Sequence, residues 1–280
     1  MKPQISIVVV TWNIRDILER CLTSIDREAD ASFELFVIDN YSFDSTREFL
    51  RSWKPQNPLL TRYEVVFNNA NLGYSGALNK GLRLAQGEYA LLLNPDTRML
   101  APALLKMVEV ARRYPDLGVL GFKILSPNGK TQRSISRLPT LRRQIESRLG
   151  LYKPKFDYDK PAEVEQINAS VALIPKKVLD IVGLWDDGFF LWFEENDFCK
   201  RARDAGFKIY YSPEISLIHE SQAGIKKIPF WKRQLIWEKS MFRYFRKHHG
   251  WLSALAVSVI DPFCMLLGMA LRRFRKLTTV

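Results

Sequence analysis

Three groups of polar residues in this chain follow apolar runs, and each has the composition to do chemistry. The run Tyr89–Leu93 stops abruptly at Asn94-Pro95-Asp96-Thr97. A carboxylate at the end of a buried strand suits an oxygen-loving divalent cation such as Mg2+ or Mn2+, which takes its other ligands from water and from a substrate's phosphates. The same Asn-Pro-Asp is also good turn chemistry. An aromatic run at 189–193 abuts Glu194, Glu195 and Asp197. A carboxylate against aromatic walls has a raised pKa and can act as a general base, so one of these three is expected to be catalytic. On a helix Glu194 and Asp197 share a face while Glu195 points elsewhere. The bland alternative is surface ion pairing with Arg201 and Arg203. His219 ends a later apolar run and is a candidate second metal ligand beside Asp96. Asp39 follows the run 33–38, where a buried carboxylate can accept the ring N–H of uracil or thymine, accept ribose hydroxyls, or cap a helix.

The elements that must position these groups alternate. Residues 5–10 read as a buried strand ending at Thr11-Trp12-Asn13, and Ile14, Ile17, Leu18, Cys21, Leu22 and Ile25 follow at helical spacing. Residues 33–38 form a second strand. Ser45 and Glu48 make a capping box for a second helix. Residues 65–67 are a third strand, followed by Asn68-Asn69-Ala70-Asn71 and a helix burying Ala77, Leu78, Leu82 and Ala85. The central strand comes next, then a helix over 102–114 and a strand over 117–124. Residues 126–160 lose periodicity and are basic, which predicts a long loop, either a mobile segment over the site that contacts an anionic substrate or a merely solvated surface loop. Strands at 167–174, 208–211 and 215–218 complete the series. This α/β pattern predicts a mostly parallel sheet with helices on both faces, and Asp96 emerging at its carboxyl edge, where such sheets bind ligands. Neither a GxGxxG nor a P-loop is present, which argues against those nucleotide sites.

The formal charge of +12 is unevenly spread. Residues 226–280 hold twelve lysines and arginines against Glu238 and Asp261, a net +10, so the first 225 residues carry only +2. The three cysteines are far apart, with no disulfide or zinc spacing, which suits a reducing cytoplasm. The expected division is a catalytic domain over 1–225 and a membrane-associating segment over 226–280. In that segment aromatics interleave with basic residues up to His249, the signature of an amphipathic helix on an anionic membrane surface. Residues 251–271 are apolar enough to span a bilayer, but Asp261-Pro262 in their middle favours a monotopic or re-entrant anchor. A buried hairpin at a homodimer contact is the alternative for a soluble protein.

Together the stretches at 7–13, 37–46, 71–81, 91–97, 183–209 and 219–224 resemble the family 2 inverting glycosyltransferases of GT-A fold, particularly rhamnosyltransferase-like members. The resemblance implies that Thr11, Asn13, Asp39, Asp44 and Asn71 line the pocket for a dTDP- or UDP-sugar. It makes Asp96 the metal-binding end of the family's Asp-x-Asp signature, with Asn94 at its first position and His219 assisting. Glu195 takes the place of the family's catalytic base, and Asp197 that of a later acidic residue that binds or supports the acceptor. The reaction implied is a single displacement onto a saccharide or polyprenyl-linked acceptor, at the cytoplasmic face of the bacterial inner membrane, in cell-surface polysaccharide synthesis. A nucleotidyltransferase would want clustered carboxylates or a Gly-rich basic loop near the first strand. A nucleic-acid-binding protein would spread its basic residues across the domain. A dead scaffold would not be expected to keep Asp39, Asp96 and the acidic cluster.

Overall fold

The computed structural model describes residues 2–168, 170–220 and 227–277, with the backbone alone for 268–277. Its centre is a nine-stranded sheet ordered β3-β2-β1-β4-β10-β6-β11-β5, with β8 on β11. The elements are β1 (Ile5–Thr11), β2 (Phe33–Asp39), β3 (Leu60–Phe67), β4 (Tyr89–Leu93), β5 (Thr97–Met99), β6 (Leu117–Leu125), β8 (Ala162–Val164), β10 (Val171–Pro175) and β11 (Lys208–His219). A small second sheet pairs β7 (Ile135–Ser136) with β9 (Gln166–Ile167). β1, β2, β3, β4, β6 and β11 run parallel, whereas β10, β5 and β8 are antiparallel to their neighbours.

Helices cover both faces. Ile5, Ile7 and Val9 of β1 point to one core with α1 (Arg15–Glu28) and α4 (Leu104–Arg112). Val8 and Val10 point to the other, with α3 (Gly73–Leu84), α6 (Lys176–Val182) and α7 (Glu194–Asp204). Two-sided burial is why the central strands are continuous apolar runs rather than alternating ones.

Several expectations change. The stretch 167–174 is not one strand: it divides between β9 and β10, which belong to different sheets. The two late strands are one, β11, with an irregularity between Ser212 and Ser216. α2 (Thr46–Ser52) does begin after Ser45, but the Ser45 side chain makes no cap; Asp44 Oδ1 accepts from Thr46 N at 3.0 Å instead. The region 126–160 is not one long loop, for it contains β7 and α5 (Leu141–Arg148), and α5 packs on the C-terminal helix.

That last element, α8 (Phe230–Leu277), is broken at Gly250, whose φ of 84° and ψ of 170° are not helical. Arg148 Nη2 lies 2.6 Å from Asp261 and 3.9 Å from Glu238. A continuous helix would hold those two acids about 34 Å apart, so the halves fold back as a hairpin. Met241, Tyr244 and Phe245 of the first half pack with Ala254 and Val257 of the second around Phe189 and Phe193.

Candidate active site

Because β1, β2, β4 and β11 run the same way, their carboxyl ends share one edge, and antiparallel β10 brings its start there too. The cleft at that edge measures about 470 Å3. Its walls are Thr11 and Trp12 after β1, Asn40 after β2, Asn71 and Tyr74 at the start of α3, and Asn94 and Asp96 after β4. Gln132, Arg133, Asn168 and Ser170 close one side, and Phe190, Leu191, Trp192 and Ile228 form an apolar side. Glu194, Glu195 and His219 complete it. A larger hollow, about 970 Å3, lies at the opposite end of the sheet beside Lys2, Glu88, Arg112 and Lys176. There the acids are already paired on the surface, as in Arg112–Glu88 and Lys176–Asp180, so it lacks converging buried functional groups.

Asp96 and His219 meet through sheet pairing. The chain turns at Asn94-Pro95 and adds β5 to β11, with Thr97 opposite His219. This sets His219 Nε2 3.1 Å from Asp96 Oδ1. Gln132 fixes the imidazole: its Nε2 donates to the His219 carbonyl at 2.6 Å, which leaves its Oε1 3.2 Å from Nδ1. Each ring nitrogen thus faces an acceptor, Nδ1 the Gln132 amide oxygen and Nε2 the Asp96 carboxylate. Among the described residues, no group of three or more His, Cys, Asp or Glu side chains is arranged to hold a metal.

Glu194 and Glu195 both line the cleft, whereas Asp197 does not. The helical-face reading, which paired 194 with 197, is therefore corrected. The two glutamates occupy the first turn of α7, where adjacent side chains both splay toward the open end. Trp192 and Phe193, each with φ of 66°, turn the chain into that helix through left-handed backbone that non-glycine residues seldom adopt. Burial raises both carboxyls, and Glu194 also feels the charge of Glu195; Glu195 reaches about 7 and Glu194 lies well above its ordinary value. Neither Glu194 Oε2 nor Glu195 Oε2 has a hydrogen-bond partner. Glu194 is 6% exposed, while Glu195 opens partly to the cleft.

Asp197 is fully buried against α8, with Oδ1 2.8 Å from His248 Nε2 and 2.7 Å from Lys247 Nζ. Arg201 Nε approaches its Oδ2 at 2.8 Å. Burial opposes the charge, but the hydrogen bonds from His248 and Lys247 and the charge and hydrogen bond of Arg201 outweigh it and hold Asp197 well below the ordinary carboxylate range.

Of the residues expected to hold a nucleotide, Thr11, Asn71, Asn94 and Asp96 line the cleft. Asp39, paired across the strands with the cleft residue Thr11, is fully buried and is not among the residues of the cleft wall. Arg47 Nε is 3.0 Å from Asp39 Oδ2, while Asp39 Oδ1 and Thr11 Oγ1 carry no hydrogen bond. Asn13 and Asp44 are not in the wall. Asn13 Oδ1 accepts from Phe43 N at 2.6 Å, and Asp44 is committed to the start of α2, so both shape the loop after β2. Asn40 escaped the sequence reading. It donates to Asn71 Oδ1 and Gly73 O and accepts from Leu72 N, tying β2 to α3; its only signal was a second polar residue after a strand-ending Asp. Trp12, Gln132, Asn168 and Ser170, ordinary loop residues until the strands are ordered, were missed as well, as was Tyr74 in the first turn of α3. Of the basic segment expected over the site, Arg133 arrives, whereas Arg143 and Arg148 pair with Glu165 and Asp261.

The sequence pattern of glycosyl transferase family 2 matches residues 6–167. The chain is 24% identical over 277 residues to the N-acetylglucosaminyl-diphospho-decaprenol L-rhamnosyltransferase of Mycobacterium tuberculosis, covering 91% of this chain and 88% of that one. It is 25% identical to a low-salt glycan biosynthesis hexosyltransferase of Haloferax volcanii, over 78% of this chain and 68% of that one. Among solved structures, a mannosyltransferase from Pyrobaculum calidifontis, in complex with GDP-Man and Mn2+, superposes with a TM-score of 0.63 at 17% identity, covering 96% of this chain and 74% of the other. TarS of S. aureus in complex with UDP gives 0.60 at 15%, covering 96% and 91%.

Proposed function

The chain belongs to glycosyl transferase family 2 and has a GT-A fold, and from that premise we propose that it is an inverting enzyme. Its donor is a nucleotide-diphosphate sugar and its acceptor a hydroxyl of a saccharide or polyprenyl-linked glycan in cell-surface polysaccharide synthesis, at the cytoplasmic face of the inner membrane. The observation that carries this reading is that Asp96, His219, Glu194 and Glu195 line one cleft at the carboxyl edge of the sheet. The M. tuberculosis relative's name supports rhamnose, from its dTDP donor, as the sugar.

Each group then has a task. Asp39 Oδ1, buried without a hydrogen bond, is completed by the ring N–H of uracil or thymine, and the Thr11 hydroxyl, likewise without a partner, donates to a ring carbonyl. Asn71 and Asn94 border the ribose and diphosphate. Asp96 Oδ1 and His219 Nε2, 3.1 Å apart, are the residues that would hold a divalent cation together with a substrate's phosphates. With a cation on Nε2, Gln132 Oε1 would accept from Nδ1 and orient the ring. Mg2+ or Mn2+ bound there supplies charge stabilisation to the departing diphosphate.

Glu195 takes the acceptor's hydroxyl proton as that oxygen bonds to the anomeric carbon. The bond from that carbon to the diphosphate breaks on the opposite face, and the nucleoside diphosphate leaves with the electron pair, inverting the configuration. The transition state has oxocarbenium character, as in glycoside hydrolysis. Glu194, buried beside Glu195, stays protonated and keeps a second charge out of the site. Asp197 supports rather than reacts. The apolar wall of Phe190, Leu191 and Trp192 receives the acceptor side.

The test is a screen of dTDP- and UDP-sugars with Mn2+ present, read by thermal shift and by transfer to a polyprenyl-diphospho-saccharide. One donor should raise Tm and yield product of inverted configuration. Product that retains the configuration would remove the single-displacement mechanism.

A further inference from the structure

The second half of α8 is amphipathic the wrong way round for a soluble protein. Leu252, Leu255, Val259, Phe263 and Leu266 recur at helical spacing along one face and are 53–84% exposed. The opposite face, about 180° away at 100° per residue, carries Ala254, Val257 and Asp261, all buried. The side chain that should be wet is inside, and those that should be inside are wet. Asp261 is held there by Arg148 at 2.6 Å and Gln144 at 2.7 Å, both from α5. An apolar stripe with a polar residue behind it fits an apolar medium on its outer side.

The first half of the hairpin frames that stripe with a different chemistry. Trp231, Leu235, Lys239 and Arg246 follow one another, exposed, along its outer face beside half-buried Phe242, and Arg246 sits 5.4 Å over the ring of Trp251. Aromatic and basic residues together mark the depth of lipid headgroups. The charge also chooses the occupant. A second copy docking on this face would bring two segments of net +10 together, whereas an anionic surface neutralises them.

We propose that the α8 hairpin seats on an anionic bilayer through the stripe 252–255–259–263–266, lying in the interface without crossing it. The break at Gly250 and the Asp261–Arg148 pair exclude a straight span, since a span would strip that pair of its partners in α5. Ile228, two residues before α8, lines the cleft, so docking brings the cleft's apolar wall to the membrane surface. The inference does not rest on sugar transfer, because binding is read with no donor or acceptor present.

The experiment is co-sedimentation of the full-length protein with vesicles of phosphatidylcholine alone or with 30% phosphatidylglycerol, alongside Leu255→Glu/Phe263→Glu and Lys239→Glu/Arg246→Glu. Wild type should bind the anionic vesicles at least about tenfold more tightly, and more weakly as salt rises. The first variant should lose binding at least tenfold with Tm unchanged, because both residues are exposed. The second should bind both vesicle types alike. Equal binding by the first variant and wild type would overturn the proposal. So would a wild-type dimer that this variant converts to a monomer, or a C-terminus protected from protease inside the vesicles.

Discussion

Asp197 Oδ1 lies 2.8 Å from His248 Nε2, a contact that joins the helix bearing Glu194 and Glu195 to a residue 51 positions further along the chain. It belongs to a clamp behind the site. Asp186 meets Arg243 at 2.6 Å and Lys247 at 2.8 Å, and Ser240 Oγ donates to Leu191 O at 2.8 Å. Trp237 packs on Trp192 and Phe193. The left-handed turn at Trp192–Phe193 is costly backbone, on the order of 1–3 kcal/mol per residue, and α8 is what holds it.

Asp197→Asn should therefore act on geometry. Removing one partner of a buried charge network costs about 3–5 kcal/mol, and a small displacement of Glu195 costs on the order of a hundredfold in rate. The expected result is a lower Tm with kcat reduced tenfold to a hundredfold and donor Kd unchanged. Donor binding that falls in parallel with kcat would place Asp197 in the substrate site instead.

The two cleft glutamates separate by isostere. Glu195→Gln removes the base and should lower kcat by about 10²–10⁴ while donor binding by calorimetry is kept. Glu194→Gln puts a neutral group of the same shape where burial already disfavours the charged carboxylate, so kcat should stay within about threefold. The reverse ranking would move the base to Glu194.

How much of this was legible in the sequence depended on burial. β1, β2, β4 and β6 were readable within a residue because both faces are covered and the apolar runs are unbroken. β3 was read over only three of its eight residues because Leu60 to Glu64 are largely polar and at most partly buried on an outer strand. α5 was invisible: its residues are mostly charged and only Gln144 is buried, so no apolar stripe marks it. Residue type alone nominated Asp96 and His219, but the pairing of β5 with β11 that joins them is long-range and leaves no local pattern. For Glu194 and Glu195, helical periodicity misled because it does not hold for side chains splayed from a first turn. Motif residues 221–224, and the side chains of the basic run 272–276, lie outside the described residues.

The raised carboxyl of Glu195 makes two pH predictions. As a base it must be ionised, so kcat should climb through an apparent pKa near 7, and that limb should vanish in Glu195→Gln. For stability the sign is that of any raised group: the native state holds the proton more tightly. The contribution is full below about pH 4.5 and is lost as pH rises through 7. Glu195→Gln should therefore match wild type near pH 4 and exceed it at pH 8, by on the order of 3 kcal/mol, in urea unfolding at the two pH values. A variant less stable at pH 8 would contradict the direction.

Metal removal tests the Asp96–His219 pair. EDTA should abolish transfer, and Mn2+ or Mg2+ should restore it. Asp96→Asn and His219→Ala should each weaken Mn2+ binding in the presence of nucleoside diphosphate at least tenfold, followed by electron paramagnetic resonance. Gln132→Ala should weaken it less, since it orients the ring without touching the ion. Full activity in excess EDTA would remove the metal role from both residues.

Gly73 tests the seam between the donor side and the aromatic wall. Its φ is +73°, and a Cβ built there would stand 2.5 Å from Phe190 O and 2.7 Å from Phe190 Cα. Both are backbone atoms that cannot rotate away, and Tyr74 N donates to the same oxygen at 2.7 Å. Gly73→Ala thus combines left-handed strain with a steric push on the loop that leads to Glu195. It should cost about 1–3 kcal/mol of stability and lower kcat by at least tenfold, because Phe190 must shift together with Leu191 and Trp192. Gly129, also at positive φ but with nothing within 4 Å of a Cβ, supplies the control. Gly129→Ala should show the strain cost in Tm without the loss of rate, and equal rate losses in the two variants would refute the role given to the Gly73–Phe190 contact.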